Sequence, residues 1–252
     1  MRFSSGAALV VAACSFVAGQ NSPKSEADPP SLRRALSDKL TYDVEWRLIH
    51  AGTVVIDAHQ NRANLELDSA GLVTSLFKIH DVYSTDYDES FCAWDWSMDS
   101  EEGKRHHETK ATYDRSALRA TYLERDLVKN TTLHNSSVAI PSCTHEVIGA
   151  LVLMRGRNLA PGQTTVIPMS DGLRSANVKI EAQEREEVKT PAGTYKTIRY
   201  EADMMNGVIY RRKGRAFIWL TDDDKKLPVQ IRVRMQFPIG TVTLALEKEE
   251  HP

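Results

Sequence analysis

Apolar and polar residues alternate along most of this sequence, which is the pattern of β-strands with one buried face. From Leu40 to Leu48 every second residue is apolar and the residues between them are polar, and the same alternation runs from Val229 to Phe237. Strands buried on both faces read instead as continuous apolar runs. These segments therefore predict an antiparallel sheet with one solvated face.

Further alternating segments predict additional strands and define the expected fold class. They cover residues 54–58, 92–98, 176–182 and 242–246, and turn-forming residues lie at 50–52, 190–194 and 222–226. About ten strands in one sheet imply strong twist and curling. We therefore expect a mainly β fold with a large curved antiparallel sheet, half-barrel or barrel-like, and one or two short helices packed on its apolar face.

The segment from His145 to Arg155 predicts a buried helix. It is apolar nearly all round, which is typical of a helix enclosed by other elements. Ser142 or Thr144 would cap its start, and Gly156 would end it. Residues 71–79 fit either a short helix or a strand, and their pattern does not separate the two.

The first twenty residues resemble an export leader. Arg2 is their sole charged residue, and small and apolar residues follow it, as in a secretory signal peptide. Two cleavage sites stay open: a signal peptide of residues 1–19, or one of residues 1–13 in which a lipobox-like stretch makes Cys14 the lipidated first residue. We then expect a disordered tether over 20–38, a single β domain over 39–248 and a tail over 249–252.

Two cysteines, Cys92 and Cys143, lie inside the expected β domain. An even pair of cysteines in an exported chain is a candidate disulfide, because oxidising compartments allow such bonds to persist. The sequence gives no separation between the two Cα atoms, so two free buried thiols are the alternative.

The sequence contains no motif for the common catalytic chemistries. A glycine-rich phosphate loop, a dinucleotide fingerprint and a Gly-x-Ser-x-Gly elbow are all missing. His145 and Glu146 begin like a zinc-protease motif, but Gly149 stands where the second histidine is required. Adjacent His106 and His107 would point to opposite faces of a strand, so we interpret them as part of an exposed hairpin.

Other reactive side chains also lack partners in the sequence. Cys143 and His145 have no evident third member for a metal or nucleophile site, and Asp95 and Asp99 are expected on a solvated face. We therefore predict no catalytic residue, no metal site and no cofactor. The formal charge of -2, from 32 basic and 34 acidic residues, also argues against a nucleic-acid-binding protein.

A cavity between the curved sheet and its helix would suit an apolar ligand. Burying such a ligand is favourable by about 25 cal/mol per Å² of apolar surface. Packing in the protein core is the alternative role for the tryptophans. The candidate ligand-binding residues are Trp46, Trp94, Trp96, Leu151, Met154 and Trp219.

Several short segments carry a family resemblance. They are Leu40 to Trp46 (LTYDVEW) followed by Ala51-Gly52, residues 190–195 (TPAGTY), residues 218–223 (IWLTDD) with 227–229 (LPV), and the apolar segment that ends in Met154-Arg155. Together they resemble the bacterial exported family called domain of unknown function 3108. The resemblance implies a periplasmic or outer-membrane-associated β protein of the Gram-negative type, and it implies no reaction or catalytic residue.

These observations predict an exported protein of the cell envelope, either in the periplasm or anchored to the outer membrane and facing the periplasm. We expect non-enzymatic binding of a hydrophobic or amphipathic ligand such as a lipid, or of an envelope partner. Membrane contact is expected only through a lipid on Cys14. Two alternatives stay open: a structural or assembly factor without a ligand cavity, and an envelope hydrolase acting on glycans or peptides.

Overall fold

The computed structural model describes residues 38–203, 214–235 and 240–250. The expected leader with Cys14 and nearly all of the expected tether lie outside these residues. Fourteen strands and two short helices are described, with these bounds: β1 Asp38–Trp46, β2 Ile49–Ala58, β3 Arg62–Ser69, α1 Gly71–Leu76, β4 Ile79–Tyr87, β5 Ala93–Glu102, β6 Arg105–Asp114, β7 Arg119–Asp126, β8 Thr131–Ala139, α2 Val147–Arg155, β9 Thr164–Ser170, β10 Ser175–Thr190, β11 Gly193–Asp203, β12 Gly214–Thr221, β13 Pro228–Met235 and β14 Thr241–Glu250.

All of these strands form one antiparallel sheet in the order β8-β7-β6-β5-β4-β3-β2-β1-β14-β13-β12-β11-β10-β9. The first and last strands therefore lie side by side in the middle of the sheet, and β8 and β9 form its edges. The expected mainly β, antiparallel fold is confirmed. The sheet has fourteen strands rather than about ten, partly because β8 is exposed on both faces and carries no apolar alternation in its sequence.

The α2 helix lies on the apolar face of the sheet, as expected. Ala150 and Met154 pack in a core cluster with residues of β9 to β12, and Ile148 and Val152 pack in a second cluster with residues of β2 to β4. The sheet thus curves around the helix and contacts it from both halves. By contrast, α1 has no buried residue, and residues 71–79 divide between this helix and the start of β4.

The cap of α2 differs from the expectation. The N-cap is Glu146, whose carboxylate accepts hydrogen bonds from the backbone N–H groups of Ile148 and Gly149. Ser142 and Thr144, the expected caps, precede the helix, because His145, the residue directly before the N-cap, forms a parallel bridge with Met169 of the edge strand β9. The helix ends at Arg155 with Gly156 as its C-cap, as expected.

The first hairpin turn also differs from the expectation. The residue pair Trp46 and Ile49 closes a two-residue turn at Arg47 and Leu48, where a turn at residues 50–52 was expected. Gly52 lies instead inside β2, beside a register shift, and a Cβ atom there would lie 2.1 Å from the carbonyl oxygen of Asp68. Gly52 therefore permits the close approach of β3 and is not a turn residue.

Near the open side of the sheet, the turn after β9 packs against β6 and β7. The hydroxyl of Tyr113 donates to the carbonyl oxygen of Ser170 at 2.7 Å, and a Cβ atom on Gly172 would meet the side chain of Ala111. These contacts bring one edge of the sheet onto the other half without strand pairing between them. Across the described part of the chain, neither helix has the length and apolar character needed to cross a membrane.

Candidate functional site

Trp94 and Trp96 lie on different faces of β5. The register between β4 and β5 shifts so that Ala93 and Asp95 are paired, and Trp94 is the extra residue of a bulge. Its side chain is 48% exposed and lies under the guanidinium of Arg115, with 3.9 Å between the guanidinium carbon and the ring centroid. The alternation over residues 92–98 predicts that Trp94 and Trp96 share a face, and this prediction is wrong because a bulge reverses the alternation at that point.

Trp96 is part of the packed core. It is buried, donates its indole N–H to the hydroxyl of Tyr113 at 3.2 Å, and stacks on Tyr83 with ring centroids 5.3 Å apart. The other candidates are spread over the fold. Met154 is buried under β9 to β12, Leu151 is partly buried on the same helix, and Trp46 packs beside the core at the end of β1.

Trp219 lies on the opposite face of β12 from its neighbour Leu220, which packs in the core cluster that contains α2. Trp46 packs against the core cluster that contains Trp219, and Leu151 and Met154 share α2, but the six candidate residues do not form one site. Of two concavities formed by described residues, one is lined by Trp219, and neither is lined by any of the other five candidates. Beneath α2, side chains of the helix pack against side chains of the sheet in two core clusters.

A buried polar network fixes the start of α2. The carboxylate of Glu146 is 1% exposed, and besides its two backbone donors it accepts a hydrogen bond from the hydroxyl of Tyr83 at 2.8 Å. Burial raises the pKa of Glu146 above its ordinary value, and the three donors oppose that rise. These contacts hold the carboxylate at the start of α2 and link it to Tyr83 of β4, so its role is structural.

The Cys92–Cys143 disulfide is present, as the sequence suggested. The two Cα atoms are 5.1 Å apart, and the bond joins the start of β5 to the segment before α2. His145 lies beside it, with 3.6 Å between Cys143 Sγ and His145 Nε2, while Nδ1 lies 2.6 Å from the carbonyl oxygen of Phe91. Burial lowers the pKa of His145. The bond occupies both thiols, so this cluster has no thiolate to offer.

The two concavities lie on the solvated face of the sheet, next to each other. One, with a volume of about 390 Å³, lies over β1, β13 and β14, and the other, of about 250 Å³, lies over β10 to β13. Arg232 and Arg234 line both. We call the combined feature the arginine groove, defined by Arg47, Arg199, Arg215, Arg232 and Arg234.

Cross-strand pairing places these arginines together. Arg215 and Arg234 are direct partners across β12 and β13, Arg232 is the partner of Phe217, and Trp219 is the partner of Arg199. Alternation along β13 puts Arg232 and Arg234 on one face. The alternation from Val229 to Phe237 predicts that both residues lie on the solvated face. It does not predict the strand pairing that brings them beside arginines of other strands.

Two aromatic rings form the floor of the groove. The guanidinium carbons of Arg232 and Arg234 lie 5.2 Å from the ring centroids of Trp219 and Phe217, respectively. Trp219 is held in turn by a 2.7 Å hydrogen bond from its indole N–H to Glu186. These contacts fix the guanidinium planes over buried rings, which is an arrangement that cation–π attraction stabilises.

The charges of the groove are only partly balanced. Arg199 pairs with Glu184 at 2.8 Å, and Arg215 pairs with Glu201 at 3.3 Å. Within the described ranges, no carboxylate lies within the 4.0 Å ion-pair distance of Arg232 or Arg234. Because a guanidinium presents several N–H donors in a plane that matches carboxylate and phosphate groups, this pair can bind an anion.

The rim of the groove carries an unusual backbone. Arg47 and Leu48 occupy the left-handed region, with φ values of 52° and 68°. A two-residue hairpin turn of this type favours glycine or asparagine. Both side chains line the larger concavity, and that of Leu48 is 93% exposed. Strained residues of this kind are common at functional sites.

The chain is similar to several solved structures, the first of which supports the fold. The chain is similar to a β-barrel-like protein of domain of unknown function DUF1849 from Brucella abortus, with 10% identity, a TM-score of 0.56, and coverage of 86% of this chain and 98% of that one. A DUF1089 family protein from Pseudomonas aeruginosa shows 11% identity and a TM-score of 0.38 over 73% of this chain and 90% of that one. A putative exported protein with a YmcC-like fold from Bacteroides fragilis shows 10% identity and a TM-score of 0.35 over 85% of this chain and 95% of that one.

The likeness to the Brucella protein concerns the fold alone, because the identity is low. A search of curated proteins found no match. A family model described as a protein of unknown function, DUF3108, matches residues 41–247, which include all but the ends of the described sheet. The chain belongs to the DUF3108 family.

Proposed function

We propose that this protein is a non-enzymatic binding protein of the cell envelope whose ligand is an amphipathic anion held in the arginine groove. The observation that carries the proposal is the pair Arg232 and Arg234. Both line the two concavities, and neither has a carboxylate partner among the described residues. An anionic headgroup, phosphate or carboxylate, supplies the missing charge.

The floor of the groove prepares the two arginines for such a ligand. Stacking on Trp219 and Phe217 restricts the guanidinium groups before binding, so less side-chain entropy is lost when the headgroup arrives. A hydrogen bond between charged groups contributes about 1.5–3 kcal/mol. The headgroup therefore provides most of the specificity.

The rim suits the apolar part of the ligand. Leu48 is 93% exposed and Ile49, at the start of β2, is 45% exposed, and both follow directly on Arg47. A short alkyl chain that lies along these residues removes apolar surface from water at about 25 cal/mol per Å². The sequence expectation placed an apolar ligand beneath α2, whereas the proposal moves it to the solvated face because the interior is packed.

The envelope location is part of the proposal. The leader-like first twenty residues and the disulfide between Cys92 and Cys143 support export to an oxidising compartment. Like the envelope location, membrane attachment through a lipid on Cys14 is a proposal.

Titration calorimetry with dodecyl phosphate tests the binding. We expect saturable binding that weakens as salt rises, because the headgroup contact is electrostatic. Arg232→Gln and Arg234→Gln should each weaken binding about tenfold, since 1.4 kcal/mol corresponds to a factor of ten. The matched control is Arg125→Gln, which removes an exposed arginine from β7, outside the groove.

Two comparison ligands separate the contribution of the anionic headgroup from that of the alkyl chain. Inorganic phosphate should bind more weakly than dodecyl phosphate, and neutral dodecanol should not show the salt dependence. Equal binding by the wild type and the Arg232→Gln/Arg234→Gln double variant would overturn the proposal. An absence of any binding would overturn it too, and would favour the alternative of a structural or assembly factor, which the packed interior also suits.

A further inference from the structure

A row of alternating carboxylates and imidazoles crosses four neighbouring strands. Cross-strand pairing joins Asp68 of β3 to His80 of β4, His80 to Glu101 of β5, and Glu101 to His106 of β6. Directly paired residues in an antiparallel sheet have Cβ atoms about 4.5–5.5 Å apart on the same face. The four side chains therefore stand next to one another on the solvated side of the sheet.

Two further carboxylates flank this row on the same face. Glu66 is two residues before Asp68 on β3, and Asp99 is two residues before Glu101 on β5. The result is the same arrangement twice, two strands apart: a carboxylate-x-carboxylate segment on one strand and a histidine on the next.

Each arrangement brings three potential ligand atoms together. The groups Glu66, Asp68 and His80, and Asp99, Glu101 and His106, each have one oxygen or nitrogen atom per residue within 4.8 Å of the others. His80 Nδ1 lies 2.8 Å from an oxygen of Asp68, and His106 Nε2 lies 2.8 Å from an oxygen of Asp99. The side chains are one third to one half exposed, so they have room to close the remaining distance around an ion.

The donor set selects a class of ion. Imidazole suits zinc, copper, iron and nickel, whereas calcium and magnesium prefer oxygen ligands alone. The two groups hold four carboxylates, and Lys110, the lysine of β6, is already paired with Glu108 at 2.7 Å. A divalent cation thus relieves the repulsion among the carboxylates while it binds the imidazoles.

We propose that this face of β3 to β6 binds divalent transition-metal ions, one at each three-residue group, with one imidazole and two carboxylates as protein ligands and water completing the coordination. The sites are separate from the arginine groove and independent of the proposed function. The sequence predicts that His106 and His107 are part of an exposed hairpin, whereas the proposal makes His106 a metal ligand. His107 lies on the opposite face of β6 and pairs with Glu124 of β7. The sequence of one strand does not show which carboxylates of the neighbouring strand lie beside its histidine.

Titration of the full chain with zinc chloride, followed by calorimetry and native mass spectrometry, tests the proposal. The expected stoichiometry is two zinc ions per chain. His80→Gln and His106→Gln should each reduce it to one, and the double variant should bind none. The control is His59→Gln, which removes an exposed histidine that has the single carboxylate partner Asp57 and should leave both sites intact.

Because all of the substituted side chains are partly exposed, the variants should fold, and circular dichroism checks this. The proposal is overturned if the wild type binds no zinc, if the double variant still binds two ions, or if His59→Gln loses as much as the other variants. Binding of calcium with equal affinity and no dependence on His80 or His106 would indicate a general acidic surface and would overturn it as well.

Discussion

The guanidinium of Arg155 lies 2.9 Å from the carboxylate of Asp38, and each side chain is only 3% exposed. This ion pair joins the last residue of α2 to the first residue of β1, 117 positions apart in the sequence. The second bond of the same Arg155 nitrogen goes to the carbonyl oxygen of Lys225 in the β12–β13 turn. One side chain therefore ties the end of the helix to two separate parts of the sheet.

Asp38→Ala should destabilise the protein by about 3–5 kcal/mol, because it leaves the charge of Arg155 buried without its partner. Urea unfolding followed by circular dichroism measures the free energy. The double variant Asp38→Leu/Arg155→Met removes both charges, so it should recover most of the loss. A loss below about 1 kcal/mol for Asp38→Ala would show that solvent reaches the pair.

Glu146→Ala should cost about 2–4 kcal/mol, because it removes the N-cap of α2 and leaves the Tyr83 hydroxyl without its acceptor. Glu146→Gln keeps the volume and one acceptor oxygen, so its cost should be smaller. Unfolding in urea at neutral pH distinguishes the two variants. Equal stability of wild type and Glu146→Ala would contradict the role of this residue.

The same carboxyl group should make stability depend on pH. Burial raises its pKa in the folded state, whereas an unfolded glutamate titrates near about 4.3. Between these two values the folded state holds a proton that the unfolded state has lost, so the free energy of unfolding falls as pH rises through that window. Glu146→Gln should flatten this part of the profile. An identical slope in wild type and variant would assign the dependence to other groups.

Removal of the Cys92–Cys143 bond should destabilise the protein by about 3–4 kcal/mol, because it frees a segment whose ends are 51 residues apart. The Cys92→Ser/Cys143→Ser variant and the wild type treated with reductant should unfold at the same urea concentration. Non-reducing and reducing mass spectrometry verifies the state of the bond. A wild type that unfolds identically with and without reductant would mean that the bond adds no stability.

Replacing the turn residues Arg47-Leu48 by Asn-Gly should stabilise the protein by about 1–2 kcal/mol, because both positions have positive φ. The same variant should bind dodecyl phosphate more weakly than the wild type, since it removes one cation and the exposed leucine from the groove. Thermal unfolding and calorimetry report the two effects separately. Unchanged affinity would separate the turn from the binding surface.

The sequence was sufficient for the sheet and for the helix because both depend on local periodicity. Alternation in β1 and β13 predicts half-buried strands, and an all-round apolar segment predicts the enclosed helix. The positions that broke the pattern were bulges. One extra residue at Trp94 turns that side chain outward, and a register shift beside Gly52 makes an apparent turn part of a strand.

Features that arise between strands were beyond the sequence. The arginine groove depends on the pairing of β12 with β13, and the two histidine–carboxylate groups depend on the register of β3 to β6. Neither register can be read from one chain, since a shift of one residue would place each side chain on the other face. The cap Glu146 was missed for a related reason: His145, directly before it, is bridged to Met169 of β9.

The central position of β1 determines where the rim of the arginine groove lies relative to the start of the sheet. Asp38 begins this strand and the Arg47-Leu48 turn ends it, so the point where the preceding residues join the sheet and the rim of the groove are separated by the strand's length, about 30 Å at about 3.3 Å per residue. Lys39 is paired with Glu250, so the last described strand finishes at the same end as the join. If the residues before Asp38 attach the protein to a surface, the groove rim lies at the opposite end of β1 from the attachment point. The rim is then accessible to ligands that arrive from solution.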